Sequence, residues 1–346
     1  MKLNFIKPRY IVLALINTIS VIAIIMISLK YNSIAGSLKY NYAAERWTQG
    51  KGGASQISCY FSNDSGFTAE NVEAVRNSIA SSLSNSGVET NKTVIPDSYY
   101  TQLGKFNINC DRNTSYQANV TAAGGRFFLF RDFNLLKGAY FSENDNMHDS
   151  IVIDRSLAFK LYGSENVIGF SVYLNGVKFA IAAVIADPQT KYEKECAGDI
   201  PHAYIPYQEA DKLYDKTEGS PKLNCYECIL PEPVDELAYN TVNSIFNESY
   251  KDKCLIIKNT DRFSSKVIQK QLKTMKQSVV MDKAIELPYW ENASRTAEFD
   301  LSILYFIKVL LFIIPSATGL FIAFIFSKRL RYGIVTLKKQ KNVPTS

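Results

Sequence analysis

Six cysteines and two histidines are the residues of this 346-residue chain best suited to covalent or metal chemistry. Cys225 and Cys228 enclose Tyr-Glu in a Cys-x-x-Cys spacing, which serves thiol exchange or supplies half of a zinc ligand set. A zinc site needs further ligands, and Cys59, Cys110, Cys196 and Cys254 are scattered, with only His148 and His202 to add. An even cysteine count in an oxidising compartment reads instead as a disulfide framework, whose pairing sequence alone does not choose. His148 stands among Glu143, Asp145 and Asp149 in a loop-like stretch and reads as a surface histidine.

Other chemistry has little footing. A Gly-x-x-x-x-Gly-Lys-Ser/Thr phosphate loop is missing, so ATP hydrolysis would have to come from a partner. Neither a Gly-x-Ser-x-Gly elbow nor a His-Glu-x-x-His pair occurs. The expectation is a protein that is not an enzyme and has no catalytic residues, metal or cofactor.

The elements that must position these residues are bounded by membrane. Two apolar segments, 10–29 and 303–327, are each long enough to cross a bilayer, since about 20 residues at 1.5 Å rise span its core. Lys2, Lys7 and Arg9 precede the first; Lys328, Arg329, Arg331, Lys338, Lys339 and Lys341 follow the second, with no acid in either flank. The positive-inside rule places both ends in the cytoplasm and the middle outside. Setting these residues and intramembrane Lys308 aside turns the net charge of +6 negative, so the basic balance is a topology signal and gives no support for nucleic-acid binding. All six cysteines fall in the outer part. Ser33-Ile-Ala35 resembles a signal-peptidase site, but the apolar run before it exceeds the usual h-region, so an uncleaved span is expected.

The outer region is larger than one core usually serves, and it divides by texture. Residues 56–61 read as a strand, Asn63–Gly66 as a turn, and Thr68 opens a helix with Val72, Val75, Ile79 and Leu83 on one face. A second such unit runs through 224–230, Pro231–Pro233 and a helix carrying Ala238, Val242 and Ile245. Between them, 149–153 is a strand, 156–162 a short helix closed by Gly163, and 171–174 with 177–185 a hairpin turned by Asn175-Gly176. The fold class is thus α+β: an α/β subdomain holding an inserted β-rich subdomain, between two transmembrane helices. The expected boundaries are 1–9 cytoplasmic, 10–29 span, 30–125 first α/β part, 126–213 insert, 214–302 second α/β part and lead to the membrane, 303–327 span, and 328–346 basic tail.

The runs Arg126-Phe-Phe, Leu135-Leu-Lys-Gly-Ala-Tyr-Phe141, Ile151-Val-Ile-Asp-Arg-Ser-Leu-Ala-Phe-Lys-Leu-Tyr-Gly163, Val167-Ile-Gly169 and Val172-Tyr-Leu-Asn-Gly-Val-Lys-Phe179 occur in that order. As a set they resemble the periplasmic core domain of MacB/FtsX-type ABC permeases. The resemblance implies that the insert is that family's small β-rich subdomain and the flanks its α/β subdomain. After the second span, Lys328-Arg-Leu-Arg-Tyr-Gly-Ile-Val-Thr-Leu-Lys338 resembles the family segment that touches the ATP-binding subunit. Carried over by position, Arg331, Tyr332, Gly333, Ile334 and Leu337 are the implied contacts. The family continues into two further membrane helices where this sequence stops at Ser346, which leaves three readings: pairing with a second permease subunit or a second copy in a homodimer, a split or decayed gene product, or a chain that keeps only the extracytoplasmic role.

Gly319, Ala323 and Ser327 form a small-residue stripe suited to helix packing, and Pro315 should bend the second span. Residues 263–281 show a helical pattern with Ile268, Leu272, Met275 and Val279 on one face, followed by Pro288-Tyr-Trp290, whose aromatic pair suits a membrane interface. The function expected is a membrane subunit of a MacB/FtsX-like ABC transport or mechanotransmission system, embedded in lipid and driven by a separate ATPase. The competing class is a membrane-tethered binding or sensor domain with no ATPase.

Overall fold

The structure, a computed structural model, describes residues 8–88, 95–213, 221–270 and 285–341. It divides into two units: one from the segments up to Gly36 and from Glu298 onward, the other from Ser37 to Ala297.

The first unit is helical. It holds most of α1 (Pro8–Ser37) and most of the chain's last helix, Tyr289–Lys341, which runs unbroken through Pro315. Both are long and apolar enough to cross a membrane, and almost nothing covers their apolar windows. Asn17 on α1 donates to its own Leu13 carbonyl (2.8 Å) and across to Thr318 Oγ (3.1 Å). Gly319, one residue on, has nothing near the position a Cβ would take, and Ala323 and Ser327 are likewise exposed.

The second unit is built on ten strands. In chain order its elements are α2 (Ala43–Trp47), β1 (Ala54–Phe61), α3 (Ala69–Asn85), β2 (Asp97–Cys110), β3 (Ser115–Gly125), α4 (Phe127–Arg131), β4 (Leu135–Gly138), β5 (Ser150–Asp154), α5 (Arg155–Tyr162), β6 (Ser171–Leu174) and β7 (Val177–Ile185). There follow α6 (Lys191–Ala197), β8 (His202–Pro206), α7 (Ala210–Leu213), β9 (Cys225–Pro231), α8 (Leu237–Tyr250), β10 (Cys254–Lys258) and the opening turns of α9 (Tyr289–Lys341). The strands run β10-β1-β9-β2-β3-β8-β5-β7-β4, and β6 bridges β2 to β7. That bridge closes β2, β3, β8, β5, β7 and β6 into a ring.

Strand β2 joins the ring to the open sheet. Its first half pairs with β9 and its second half with β6, and the register shifts between Gln102 and Gly104. Gly104 adopts φ of 89°, open to glycine at no steric cost, and this bulge turns the strand from the sheet into the ring. The ring therefore draws on β2 and β3, ahead of residue 126. Its interior is filled by Ile108, Val120, Ile151, Leu157, Val172, Phe179 and Ile205. The open sheet packs Ile57, Phe61 and Tyr226 against Val72, Ile79 and Leu83 of α3 and Val242 and Phe246 of α8. A third, aromatic core lies on the opposite sheet face, with Tyr60, Tyr100, Phe127, Tyr204 and Trp290.

Local chemistry accounts for the boundaries. Thr68 and Asn71 cap α3, with the Thr68 amide donating to Asn71 Oδ1 (2.9 Å). Asn175 and Gly176 take φ of 46° and 82°, the positive values a type I′ hairpin needs. Asp154 does two jobs: Oδ1 accepts from the Leu157 amide (2.8 Å) as N-cap of α5, and Oδ2 accepts from the His202 amide (2.6 Å), holding β8 to β5. Replacing Asp154 by Ala removes a cap and orphans a second buried amide; a loss of about 2–3 kcal/mol is expected in a denaturant titration.

Two expectations meet the structure differently. Residues 265–270 are helical and Ile268 is buried, whereas Leu272, Met275 and Val279 lie outside the described residues. Trp290 is 3% exposed inside the aromatic core and does not present its ring as an interface anchor would, because Arg131 and the surrounding rings offer the indole a closer-packed site.

Candidate functional site

Four charges are buried where α9 begins. Glu291, in its first turn, receives both guanidinium nitrogens of Arg262, Nη1 to Oε2 and Nη2 to Oε1, each at 2.8 Å. Arg295, one turn on, donates to the same carboxylate (3.0 Å), and the Tyr60 hydroxyl approaches it at 3.4 Å. Burial alone would raise the Glu291 carboxyl; the two guanidinium groups outweigh it and hold the group below its ordinary range. The second pair is Arg131 of α4 with Glu227 of β9, both 1% exposed at their side chains. The Arg131 guanidinium lies over the Trp290 ring (4.5 Å) and beside Tyr100 and Phe127 (5.3 Å each), so the indole ties α9 to this pair through cation–π contact.

Neutral side chains join the two pairs into one network. Ser58 Oγ donates to Glu227 (2.6 Å) and accepts from Asn259 Nδ2 (2.5 Å), while Asn259 Oδ1 accepts from Arg262 (3.4 Å). Arg262 also donates to Asn41 Oδ1 (3.2 Å); Asn41 Nδ2 donates to Ser294 Oγ (2.9 Å), and Ser294 donates back to the Trp290 carbonyl (3.1 Å). Gln56 fixes the entering chain, donating to the Tyr40 carbonyl (2.9 Å) and accepting from the Ala43 amide (3.0 Å). Residues 40–43, β1, α4, β9, the turn 259–262 and the root of α9 are thus locked by one buried polar chain. Such an arrangement fixes position: ion pairs this buried contribute little net stability but tolerate no partner's absence.

A separate cleft of about 320 Å³ is lined by Glu73, Arg76, Asp97, Arg126, Glu143 and Tyr226. Arg76 grips Asp97 through two bonds (2.6 and 2.9 Å), Tyr226 donates to the same carboxylate (3.2 Å), and Tyr99 donates to Glu143 (2.8 Å). Arg76 also approaches Glu73 (3.5 Å), so its charge is already engaged within the wall.

The residues singled out from sequence lie elsewhere. Arg331, Tyr332, Gly333, Ile334 and Leu337 fall in the last turns of α9, and Gly319, Ala323 and Ser327 in its middle. Cys59, Cys110, Cys196, Cys225, Cys228 and Cys254 are all free thiols here. Cys225 sits in the aromatic core and Cys228 in the core beneath α3, on opposite faces of β9, so the Cys-x-x-Cys pair cannot converge on a metal or on each other. Among the described residues no group of three or more metal-binding side chains converges. Sequence reasoning missed Arg131, Glu227, Arg262 and Glu291, and the one available signal was the presence of charges inside apolar runs such as Phe127-Phe-Leu-Phe-Arg131.

The α+β domain follows a helix long and apolar enough to cross a membrane. The family model described as the MacB-like periplasmic core domain matches residues 11–230, and the chain belongs to that family, one of ABC-transporter-type membrane subunits. No curated protein matches it. Among solved structures it is similar to the periplasmic region of MacB from Actinobacillus actinomycetemcomitans, at 17% identity over 65% of this chain and 92% of that one, with a TM-score of 0.42. It is similar also to the extracellular domain of the noncanonic ABC-type transporter YknZ from Gram-positive bacteria, at 13% identity over 58% and 99%, with a TM-score of 0.40.

Proposed function

We propose that this chain is the moving membrane subunit of an ABC system in which a separate ATPase displaces the extracytoplasmic domain, with both ends of the chain cytoplasmic. The observation that carries this is the buried network at Glu291 and Arg131. It grips the first turn of the helix that continues as the second apolar segment. A domain meant only to bind a ligand at the membrane surface has no need for so firm a hold on that turn. The work done is mechanical, and the ATP chemistry belongs to the partner.

The ATPase docks on Arg331, Tyr332, Gly333, Ile334 and Leu337, and the exposed stripe Gly319, Ala323 and Ser327 receives a helix of a second permease subunit or a second copy. Co-purification from native membranes tests the coupling. An ATP-binding protein is expected with the intact chain and should be lost when Arg331, Tyr332 and Ile334 are replaced together by Ala, with the chain's own abundance unchanged. If the intact chain brings down no ATPase, the reading fails.

A further inference from the structure

We propose that Cys59 and Cys254 form a disulfide in the mature protein, stapling the edge strand β10 to β1. The strand register brings the two together. Cys59 faces Ile256 and Cys254 faces Phe61, so the cysteines are diagonal neighbours on one sheet face, both in the core beneath α3 and α8. The bond from the Ser62 amide to the Lys253 carbonyl, and that from the Asn259 amide to the Gln56 carbonyl, mark those residue pairs as the hydrogen-bonded ones. By alternation, the pairs holding Cys59 and Cys254 occupy the narrow, non-hydrogen-bonded positions, where side chains approach most closely.

The other cysteines are placed against pairing here. Cys225 lies on the opposite face beside Tyr100, Cys110 points at the Leu161 carbonyl inside the ring, and Cys196 on α6 is next to Thr296. Cys228 shares the face of Cys59 but sits in β9, held between β1 and β2. Among the described residues, strand β10 has a neighbour on one side only. Diagonal neighbours stand about 7–8 Å apart at Cα and a disulfide wants about 4.4–6.8 Å, so one strand must draw in by about an ångström; the edge strand is the one free to do so.

The step is a thiol–disulfide exchange. One cysteine thiolate attacks the S–S bond of a disulfide-carrying oxidoreductase of the extracytoplasmic compartment, and the second cysteine displaces the enzyme from the mixed disulfide. One S–S bond forms in this chain, one breaks in the oxidant, and the oxidant leaves with both hydrogens as two thiols. Both thiols are buried in the folded domain, so exchange takes place while β10 is still undocked. The bond anchors the strand that leads directly into Asn259 and Arg262, the turn that grips Glu291.

The test is a non-reducing peptide map of the full chain, purified from its native membrane with thiols alkylated at lysis and again after denaturation. A linked peptide pair containing Cys59 and Cys254 is expected, vanishing on reduction, with the other cysteines fully alkylated. Cys59→Ser should free Cys254 for alkylation, and Cys254→Ser should free Cys59. If either variant fails to fold, the wild-type map still decides. Complete alkylation of Cys59 and Cys254 in the wild-type chain, or linkage of Cys59 to Cys228, overturns the proposal.

Discussion

Glu291→Ala lowers the stability of the folded chain by about 3–5 kcal/mol, the cost of breaking a buried, bidentate ion pair from one side. Arg262 is the charge most affected: its fork reaches Glu291 with both terminal nitrogens at 2.8 Å, closer than the neutral side-chain oxygens of Asn41 and Asn259. The chain has two tryptophans, and Trp290 adjoins Glu291, so fluorescence in a denaturant titration reads the site itself. The effect carries a pH signature. Glu291 has a folded-state value below its ordinary range, so its contribution is fully present above the unfolded carboxylate's value near about 4.3 and is lost as pH falls through the lower folded value. The wild-type chain should therefore lose stability on the acid side, and Glu291→Ala should lose less there, having no carboxylate left to protonate. An equal acid slope in both proteins would show that Arg262 is not neutralised by Glu291 in the way the geometry requires.

The origin of this effect explains what could be read from sequence. Strand β1, helix α3, strand β5, helix α5 and the β6–β7 hairpin were legible because each is specified by neighbours: alternation, a cap at Thr68, a stop at Gly163, a turn at Asn175-Gly176. Closure of the ring was not. It depends on Ile108–Cys110 of β2 meeting Val172–Leu174 of β6, a pairing across some sixty residues that no local pattern encodes. The buried network is illegible for the same reason. Arg262 stands 29 residues from Glu291, and Arg131 pairs with Glu227 far along the chain. In sequence each looks like any solvated charge. Trp290 misled in a related way, since an aromatic beside a membrane segment has the composition of an interface anchor and acquires its buried role only when Arg131 arrives beneath it.

Stability and position can be separated at the second pair. Arg131→Met alone should cost about 3–5 kcal/mol, because Glu227 then stays buried in the core without its cation, held by Ser58. Arg131→Met combined with Glu227→Leu should recover most of that loss, since two apolar chains of similar volume replace two charges whose desolvation the pair only just offsets. The double variant then folds with its aromatic core filled but without the cation beneath Trp290 and without the anchor for Ser58, the link that carries the network on to Asn259 and Arg262. If the network serves position, this restored chain should still bring down the proposed ATPase partner yet lose whatever activity the assembled system shows in cells. If the double variant is as active as the wild type, the charges at Arg131 and Glu227 serve only to select the fold, and the grip on α9 rests on Arg262 and Glu291 alone. A double variant no more stable than Arg131→Met would instead show that Trp290 depends on the cation for its place in the core. The three outcomes assign the pair to motion, to fold selection or to packing, and each is read from one denaturation curve and one activity measurement on the same two variants.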